Sequence, residues 1–218
     1  MEELALMPAR VTVASVLRKA ILAGEFAAGQ ELSLTEMAAK MGVSRTPVRE
    51  AFQILEKECL IELRMNKGAM VCSIDRDFIQ DHYGIRMLLE GEAVARAIDS
   101  GMDSAPLIAL QEGIISKKGG ELERAYVDYN LVFHTHIWRG AGSQKLYSFL
   151  ESLWNGPSFS RAITEDEHRF RSIQEHGHIL QCIKNGQRNE GRLAMEEHIR
   201  RSMHNIMDGL TIQSPSLP

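Results

Sequence analysis

The sequence of 218 residues predicts a mainly α-helical protein, in which three helices and a small β-hairpin precede a bundle of about six further helices. Three observations support this fold class. Apolar residues recur every three or four positions through most of the chain, as on a helix with one buried face. Only 6% of the residues are aromatic, which argues against a β-sandwich. Strand-like runs are confined to residues 60–72.

The first two helices are short and end at glycines. Apolar side chains repeat at helical spacing over 11–23, and Gly24 ends that helix. The next segment, GEFAAGQEL, has the composition of a turn. A second helix is predicted over 34–41, with Met37, Ala38 and Met41 on one face and Gly42 after its end.

The third helix begins in the stretch GVSRTPVREAF and runs to about residue 59. Ser44 is a suitable N-cap, and Pro47 then falls in the first turn, where its missing N–H costs little. Arg45 and Arg49 lie one turn apart at the beginning of this helix. The proline therefore starts the helix and does not break it.

A small hairpin completes the amino-terminal part of the chain. Runs at 60–63 and 69–72 have strand character, and Asn66 and Gly68 between them favour a turn. Helix, short helix, Gly-Val-Ser turn, helix and hairpin is the order of a winged helix-turn-helix, which we assign to residues 1–74.

Residues 75–218 form the predicted all-α bundle. Breaks such as KKGG, GAGS and NGPS separate its helices, and the tail TIQSPSLP is predicted to fray. The predicted helices cover 75–100, 103–116, 122–139, 143–154, 167–184 and 187–209.

A helix-turn-helix inserts the front of its second helix into the major groove of DNA. Arginine there bonds guanine or a phosphate, hydroxyls bond phosphates, and a hairpin tip approaches the minor groove. The residues predicted to contact DNA are Ser44, Arg45, Thr46, Arg49, Lys67 and Gly68. The alternative is a solvated helix whose arginines pair with Glu50 and Glu36.

Charge does not decide between these interpretations. The net charge is −4, and nine basic residues in the first 74 are balanced by nine acidic ones. A DNA-binding surface therefore requires a local arrangement of cations rather than a basic domain.

Histidines indicate a second candidate site, since all eight lie after residue 75. His134 shares a helix face with Asn130, and His176 and His198 lie at inward positions of two other helices. Three imidazoles and an oxygen donor suit Zn²⁺, with Ni²⁺ or Mn²⁺ as alternatives. Hydrogen-bonded core histidines would show the same spacing. The histidines predicted to lie on the surface or the rim of the site are His136, His168, His178 and His204.

The stretch from LSLTEMAAKMGVSRTPVREAF to NKGAMV resembles the winged-helix domain of GntR-type bacterial transcription regulators over about 60 residues. The resemblance implies operator binding as a homodimer, with Arg45 and Arg49 on bases or phosphates and the Lys67–Gly68 wing in the minor groove. Family members often carry a basic residue where Thr35 stands here. The basic residue that those members place there is therefore absent from this chain.

The bundle resembles the FCD ligand-binding domain of the FadR-type branch over residues 77–207, through NLVFH, EHGHIL and AMEEHI. Metal-binding members use one Asp and three His, and the corresponding positions are Asn130, His134, His176 and His198. The neutral asparagine leaves a bound cation its full charge, which favours a carboxylate effector. Arg86 is a candidate clamp on that carboxylate, or an i,i+4 partner of Glu90.

These features together predict a ligand-responsive, DNA-binding transcription regulator, acting as a repressor, rather than an enzyme. The alternative is a metal-dependent hydrolase or lyase with an accessory winged helix, although no HExxH pairing is present. A metal-free bundle that only dimerises is the third interpretation. Three scattered cysteines, no membrane-length apolar run and no signal peptide in MEELALMPAR predict a cytoplasmic protein without a membrane partner.

Overall fold

The computed structural model describes residues 9–22, 24–65, 68–154 and 166–213, with side chains in the last range described from 169 to 208. The contacts between residues divide the chain into two compact units. Among the described residues, the first unit holds those up to Phe78 together with Trp154, and the second holds Ile79–Leu153 and the residues from 166 onward.

The first unit combines three helices with a small antiparallel sheet. Its elements are α1 (Ala9–Leu22), β1 (Glu31–Leu32), α2 (Leu34–Met41), α3 (Arg45–Lys57), β2 (Ile61–Arg64) and β3 (Gly68–Val71). The strand order is β1-β3-β2, so β3 is the central strand. This arrangement confirms the predicted winged helix-turn-helix.

The core of this unit holds α3 by its inner face. Val48, Ala51, Phe52 and Leu55 repeat at helical spacing and are completely buried. Burial of a side chain such as Phe52 contributes about 1.5–3 kcal/mol. At the far end of α3, Glu58 accepts a hydrogen bond of 2.7 Å from Nε of Arg18 on α1. The orientation of α3 within its unit is therefore fixed at several points.

The third strand was not expected, because the sequence predicted only a turn before α2. Glu31 and Leu32 form β1, opposite Met70 and Ala69 of β3. A strand of two residues is too short to show alternation, and its pairing depends on a segment almost forty residues away. The prediction of an irregular turn through residue 32 was therefore wrong at its last two residues.

Gly68 is required where β3 begins. Its φ is +93°, and a Cβ at this position would lie 2.1 Å from the carbonyl oxygen of Leu32. Packing within the sheet is therefore enough to require glycine at this position, whether or not the hairpin contacts DNA. The other residues predicted at the hairpin tip, Asn66 and Lys67, lie outside the described residues.

The second unit is helical throughout its described part. Its helices are α4 (Arg76–Asp99, in this unit from Ile79), α5 (Ala105–Ile115), α6 (Gly119–Gly140), α7 (Gln144–Trp154, in this unit to Leu153), α8 (Asp166–Lys184) and α9 (Arg188–Gln213). The six helices predicted from periodicity are confirmed. The predicted fraying from residue 211 was wrong as far as Gln213, and residues 214–218 lie outside the described ranges.

Aromatic packing joins α6 to α8 in the centre of this bundle. Phe133 of α6 is fully buried and stacks on the ring of His176 of α8, with 3.8 Å between ring centroids and 9° between planes. Tyr129 lies one turn earlier on α6 and also packs against His176. The bundle core thus places imidazole side chains at its centre. None of the described helices is both long enough and apolar enough to span a membrane.

Candidate functional site

The front of α3 forms an exposed polar ridge. Ser44, Arg45, Thr46 and Arg49 are all exposed, whereas the inner face of the same helix is buried. Ser44 has the extended backbone of an N-cap, with φ −72° and ψ 166°, but its side chain makes no capping hydrogen bond. The predicted DNA-contacting residues of α3 therefore share one solvent-facing end.

Arg45 and Arg49 form no ion pair among the described residues. Glu50, one of their alternative partners, lies 3.9 Å from Arg10 instead. The structure therefore does not support the alternative in which Arg45 and Arg49 pair with Glu50 and Glu36. Their guanidinium groups face solvent at a helix beginning, where backbone N–H groups also favour anions.

Three of the predicted metal-ligating side chains meet in the bundle. One ring nitrogen from each of His134 on α6, His176 on α8 and His198 on α9 lies within 4.8 Å of the other two. All three are buried, with exposures of 1%, 0% and 3%. His136 is half-buried, His178 and His204 are exposed, and the side chain of His168 lies outside the described ones.

Hydrogen bonds to carboxylates determine which ring nitrogen faces the cluster. Nδ1 of His134 lies 2.7 Å from Oε2 of Glu90, and Nδ1 of His198 lies 2.7 Å from Oε2 of Glu175. A carboxylate only accepts hydrogen bonds, so both imidazoles carry their proton on Nδ1. Their Nε2 atoms consequently carry the lone pairs that a metal ion requires.

His176 differs from the other two histidines. Its Nε2 lies 3.2 Å from Nε2 of His198. Its Nδ1 is buried and has no hydrogen-bond partner among the described residues. A buried ring nitrogen without a partner costs about 1–3 kcal/mol.

The environment keeps these imidazoles neutral. Burial lowers the pKa of His198 to about 4 and also lowers the pKa of His134. Burial lowers the pKa of His176 further below its usual range, and the two neighbouring histidines add to that effect. Neutral imidazole is the form that binds a metal ion.

Glu90 is a part of the site that the sequence indicated only as a partner of Arg86. Its side chain is fully buried, and Oε2 also accepts a hydrogen bond of 3.0 Å from Nε1 of Trp138. Burial disfavours its charged form, but His134 and Arg86 outweigh burial and lower the carboxyl pKa to about 2. No sequence pattern links Glu90 to His134, which follows 44 residues later.

Glu175 precedes His176 on α8, and the side chains of adjacent helix residues point about 100° apart. In the structure it binds His198 and Arg201 of α9, with 2.5 Å from Nε of Arg201 to Oε1. Hydrogen bonds from His198 and Arg201 outweigh burial and lower the carboxyl pKa to about 2. Its partner could not be inferred from the helix that carries it.

Asn130 and Arg86 flank the cluster. Asn130 is half-buried one turn before His134 on α6, and its Oδ1 lies 3.5 Å from the hydroxyl of Tyr126. Nε and one terminal nitrogen of Arg86 both lie 2.9 Å from Oε1 of Glu90, so the i,i+4 pair is formed. The role of Arg86 as an effector clamp stays a prediction.

The cluster fits a divalent metal. It offers three neutral imidazoles, two of them oriented by carboxylates, and one of these rings has a buried nitrogen without a partner. Nitrogen donors in this number suit Zn²⁺, Ni²⁺ or Mn²⁺. The donor set alone does not select among these ions.

Known proteins show the same two-part organisation. Residues 9–71 match the bacterial regulatory proteins of the gntR family, and residues 81–201 match the FCD domain. The HTH-type transcriptional regulator YdhC of Bacillus subtilis is 28% identical over 189 residues, covering 84% of this chain and 82% of that protein. The gluconate operon transcriptional repressor of Bacillus subtilis is 32% identical over 149 residues, covering 66% and 58% respectively.

Solved structures agree in fold. McbR/YncC of E. coli superposes with a TM-score of 0.71 at 23% identity, covering 93% of this chain and 99% of that one. The metal-free FCD domain of the regulator TM0439 gives a TM-score of 0.55 at 18% identity, covering 64% and 99%. The two family matches show that this chain belongs to the GntR family of DNA-binding transcription regulators and carries an FCD domain.

Proposed function

We propose that this protein is a homodimeric, cytoplasmic repressor that releases operator DNA when a small organic acid binds its helical domain. Residues 1–74 bind DNA, and residues 75–218 bind the effector and form the dimer. The observation that carries the proposal is the exposed front of α3, where Arg45 and Arg49 lack ion-pair partners among the described residues. Arginines held so on a rigid helix are ready to bind an external anion.

The DNA contacts follow from the position of each group on α3. Arg45 and Arg49 bond guanine or phosphate in the major groove, since they lie in the first turns of the helix. Ser44 and Thr46 hold phosphates at the helix beginning with their hydroxyls and backbone N–H groups. Lys67 and Gly68 place the wing at the minor groove. The two α3 helices of a dimer would read half-sites about one DNA turn apart.

The effector site is proposed at the histidine cluster. Asn130, His134, His176 and His198 would hold a divalent cation, with Zn²⁺ preferred over Ni²⁺ or Mn²⁺. Such a cation, when bound, would supply a positive charge that attracts a carboxylate, because its ligands are neutral. Arg86 would bind the same carboxylate while its pair with Glu90 keeps it in place.

Repression is the proposed sense of regulation. The gluconate operon repressors of Bacillus subtilis and Bacillus licheniformis, 32% and 31% identical to this chain over the matched part, support it. The enzyme alternative gains no support from the carboxylates that contact the cluster. Glu90 and Glu175 have pKa values lowered to about 2 and are bound to arginines, which makes them weak general bases.

The test compares two variants of α3 that each remove one positive charge. Arg49→Ala changes the exposed front, whereas Lys57→Ala changes the exposed last residue, eight positions and about 12 Å along the helix. DNA from the protein's own upstream region is titrated by fluorescence anisotropy at several salt concentrations. We expect Arg49→Ala to weaken binding by about 1–3 kcal/mol and Lys57→Ala to change it little. Equal effects of both variants, or none, would refute DNA reading by α3.

A further inference from the structure

We infer that Glu90 and Glu175 are positioning residues of the metal site, which orient two of its histidines and supply the negative charge that Asn130 lacks. The inference rests on the metal site of the proposed function. It adds two residues to that site and explains how an amide is tolerated where a carboxylate ligand is expected.

Each carboxylate is held on both of its oxygens. Oε1 of Glu90 binds Arg86 from the same helix, while Oε2 binds Nδ1 of His134 and Nε1 of Trp138. Opposite bonds of this kind fix the rotation of the carboxylate. The imidazole of His134 is therefore fixed as well, with Nε2 directed away from Glu90.

Glu175 repeats this arrangement from another helix. Its Oε1 binds Nε of Arg201, and its Oε2 binds Nδ1 of His198 together with a second nitrogen of Arg201 at 2.7 Å. Arg201 also donates a bond of 2.7 Å to the hydroxyl of Ser172. An arginine, a glutamate and a histidine thus form a chain in both places, although the helices that supply them differ.

The third histidine, His176, lacks such a carboxylate partner among the described residues. Nδ1 of His176 has no hydrogen-bond partner among the described residues, and its ring is held by stacking on Phe133. Its orientation comes from packing, and no carboxylate among the described residues accepts a hydrogen bond from its Nδ1. Two of the three imidazoles are therefore made stronger donors by a carboxylate, and one is not.

The charge around the proposed cation also depends on these two carboxylates. A divalent cation bound by Asn130 and three neutral imidazoles would have no anion among its direct ligands. A carboxylate that accepts Nδ1–H raises the basicity of Nε2, so Glu90 and Glu175 transfer part of their charge to the ligands. Arg86 and Arg201 lie within hydrogen-bonding distance of these carboxylates, at 2.9 Å and 2.5 Å, and compensate their charge inside the protein.

The test measures Zn²⁺ affinity of the full chain by competition with a chromophoric chelator. Glu90→Gln and Glu175→Gln keep the side-chain size but remove the charge, and Glu92→Gln is the control because Glu92 forms an exposed pair with Arg96 on α4. We expect each of the first two variants to bind Zn²⁺ roughly 10–100-fold more weakly and the control to bind as the wild type does.

A second measurement does not depend on the folding of a variant. Nitrogen NMR of the metal-free wild type, assigned with single histidine variants, reports which ring nitrogen carries the proton. We expect Nδ1–H at His134 and His198, and the opposite tautomer at either would overturn the inference. Wild-type Zn²⁺ affinity in both folded glutamine variants would also overturn it.

These outcomes separate the inference from the proposal on which it rests. A wild type that binds no Zn²⁺ would remove the metal site and this inference together, but it would leave the effect of Arg49→Ala on DNA binding intact. A wild type that binds Zn²⁺ with unchanged affinity in the two variants would refute only the positioning role.

Discussion

The front of α3 is exposed to solvent, whereas the histidine cluster is buried in the bundle. Both present groups suited to a ligand from outside the chain. Arg45 and Arg49 are exposed to water, which solvates their charges. They therefore need no ion-pair partner in the protein, and they have none among the described residues. His134 and His198 are buried in the core, where a polar group without a hydrogen bond is strongly destabilising. Their Nδ1 atoms are therefore hydrogen-bonded to carboxylates.

The difference shows which part of the structure holds the side chains of each site in position before a ligand binds. At α3 it lies in the helix itself, since Phe52 and Leu55 anchor the inner face and the outer face needs no further support. In the bundle it lies in partners on other helices, because a buried imidazole must have its tautomer fixed before a ligand arrives. Perturbations of charge should therefore affect the two sites differently.

Acidification is expected to have the largest effect, and only on the bundle. Burial lowers the pKa values of His134, His176 and His198 below the usual 6.5, the last to about 4, and burial with the charge of Arg86 lowers the pKa of His82 to about 4. As pH falls below 6.5, the unfolded chain binds protons that the folded chain does not. Unfolding free energy should therefore fall by up to about 1.4 kcal/mol per pH unit for each histidine.

The measurement is urea denaturation of the metal-free protein between about pH 7 and pH 4.5, the window in which these histidines act. Glu90 and Glu175, whose pKa values fall from 4.5 to about 2, start to contribute only near the acidic end of this window, since the unfolded carboxyls take up protons as pH approaches 4.5. His198→Gln should flatten the profile, whereas His204→Gln, which changes an exposed residue on α9, should not. Because the first 74 residues contain no histidine, the DNA-binding unit should not contribute. A level profile in the wild type would contradict the assignment of neutral, buried imidazoles.

Restoring a carboxylate next to the cluster should have a smaller effect. Asn130→Asp places a negative charge one turn from His134, and an ion pair near 4 Å contributes about 4 kcal/mol at an effective dielectric constant of 20. Desolvation of the new carboxylate opposes this gain, so we expect Zn²⁺ affinity to rise roughly tenfold. Isothermal titration calorimetry measures it. Asp128→Asn, an exposed change two residues away on α6, should leave the affinity unaltered. Unchanged affinity in Asn130→Asp would exclude residue 130 from the ligand set.

The same contrast explains what the sequence predicted and what it missed. The exposed residues at the front of α3 fall within the six positions 44–49, so one motif contains both the helix start and the arginines that it carries. The three histidines were predicted because each lies at a core position of its own helix. Glu90 and Glu175 were missed as their partners because the contacts join residues 44 and 23 positions apart. Strand β1 was missed for a related reason, since its pairing with β3 is equally non-local.

The smallest expected effect concerns the hydroxyl at the start of α3. Ser44 occupies the N-cap but makes no capping bond, whereas Oγ of Ser33 accepts from the backbone N–H of Glu36, at 3.5 Å, at the start of α2. Removing a capping hydroxyl costs about 0.5–2 kcal/mol of stability. Ser44→Ala should therefore change the unfolding free energy by less than about 0.5 kcal/mol, and Ser33→Ala by more.

DNA affinity should rank the two variants in the reverse order. A hydroxyl freed from capping can bond a phosphate, and its loss should weaken operator binding about two- to tenfold, as expected for one hydrogen bond of 0.5–1.5 kcal/mol. Anisotropy titration and chemical denaturation of Ser44→Ala and Ser33→Ala give both quantities. If Ser44→Ala destabilised the protein without weakening DNA binding, Ser44 would act only as a cap. The solvent-facing end of α3 would then include groups kept for folding, and the contrast with the buried cluster would be less sharp.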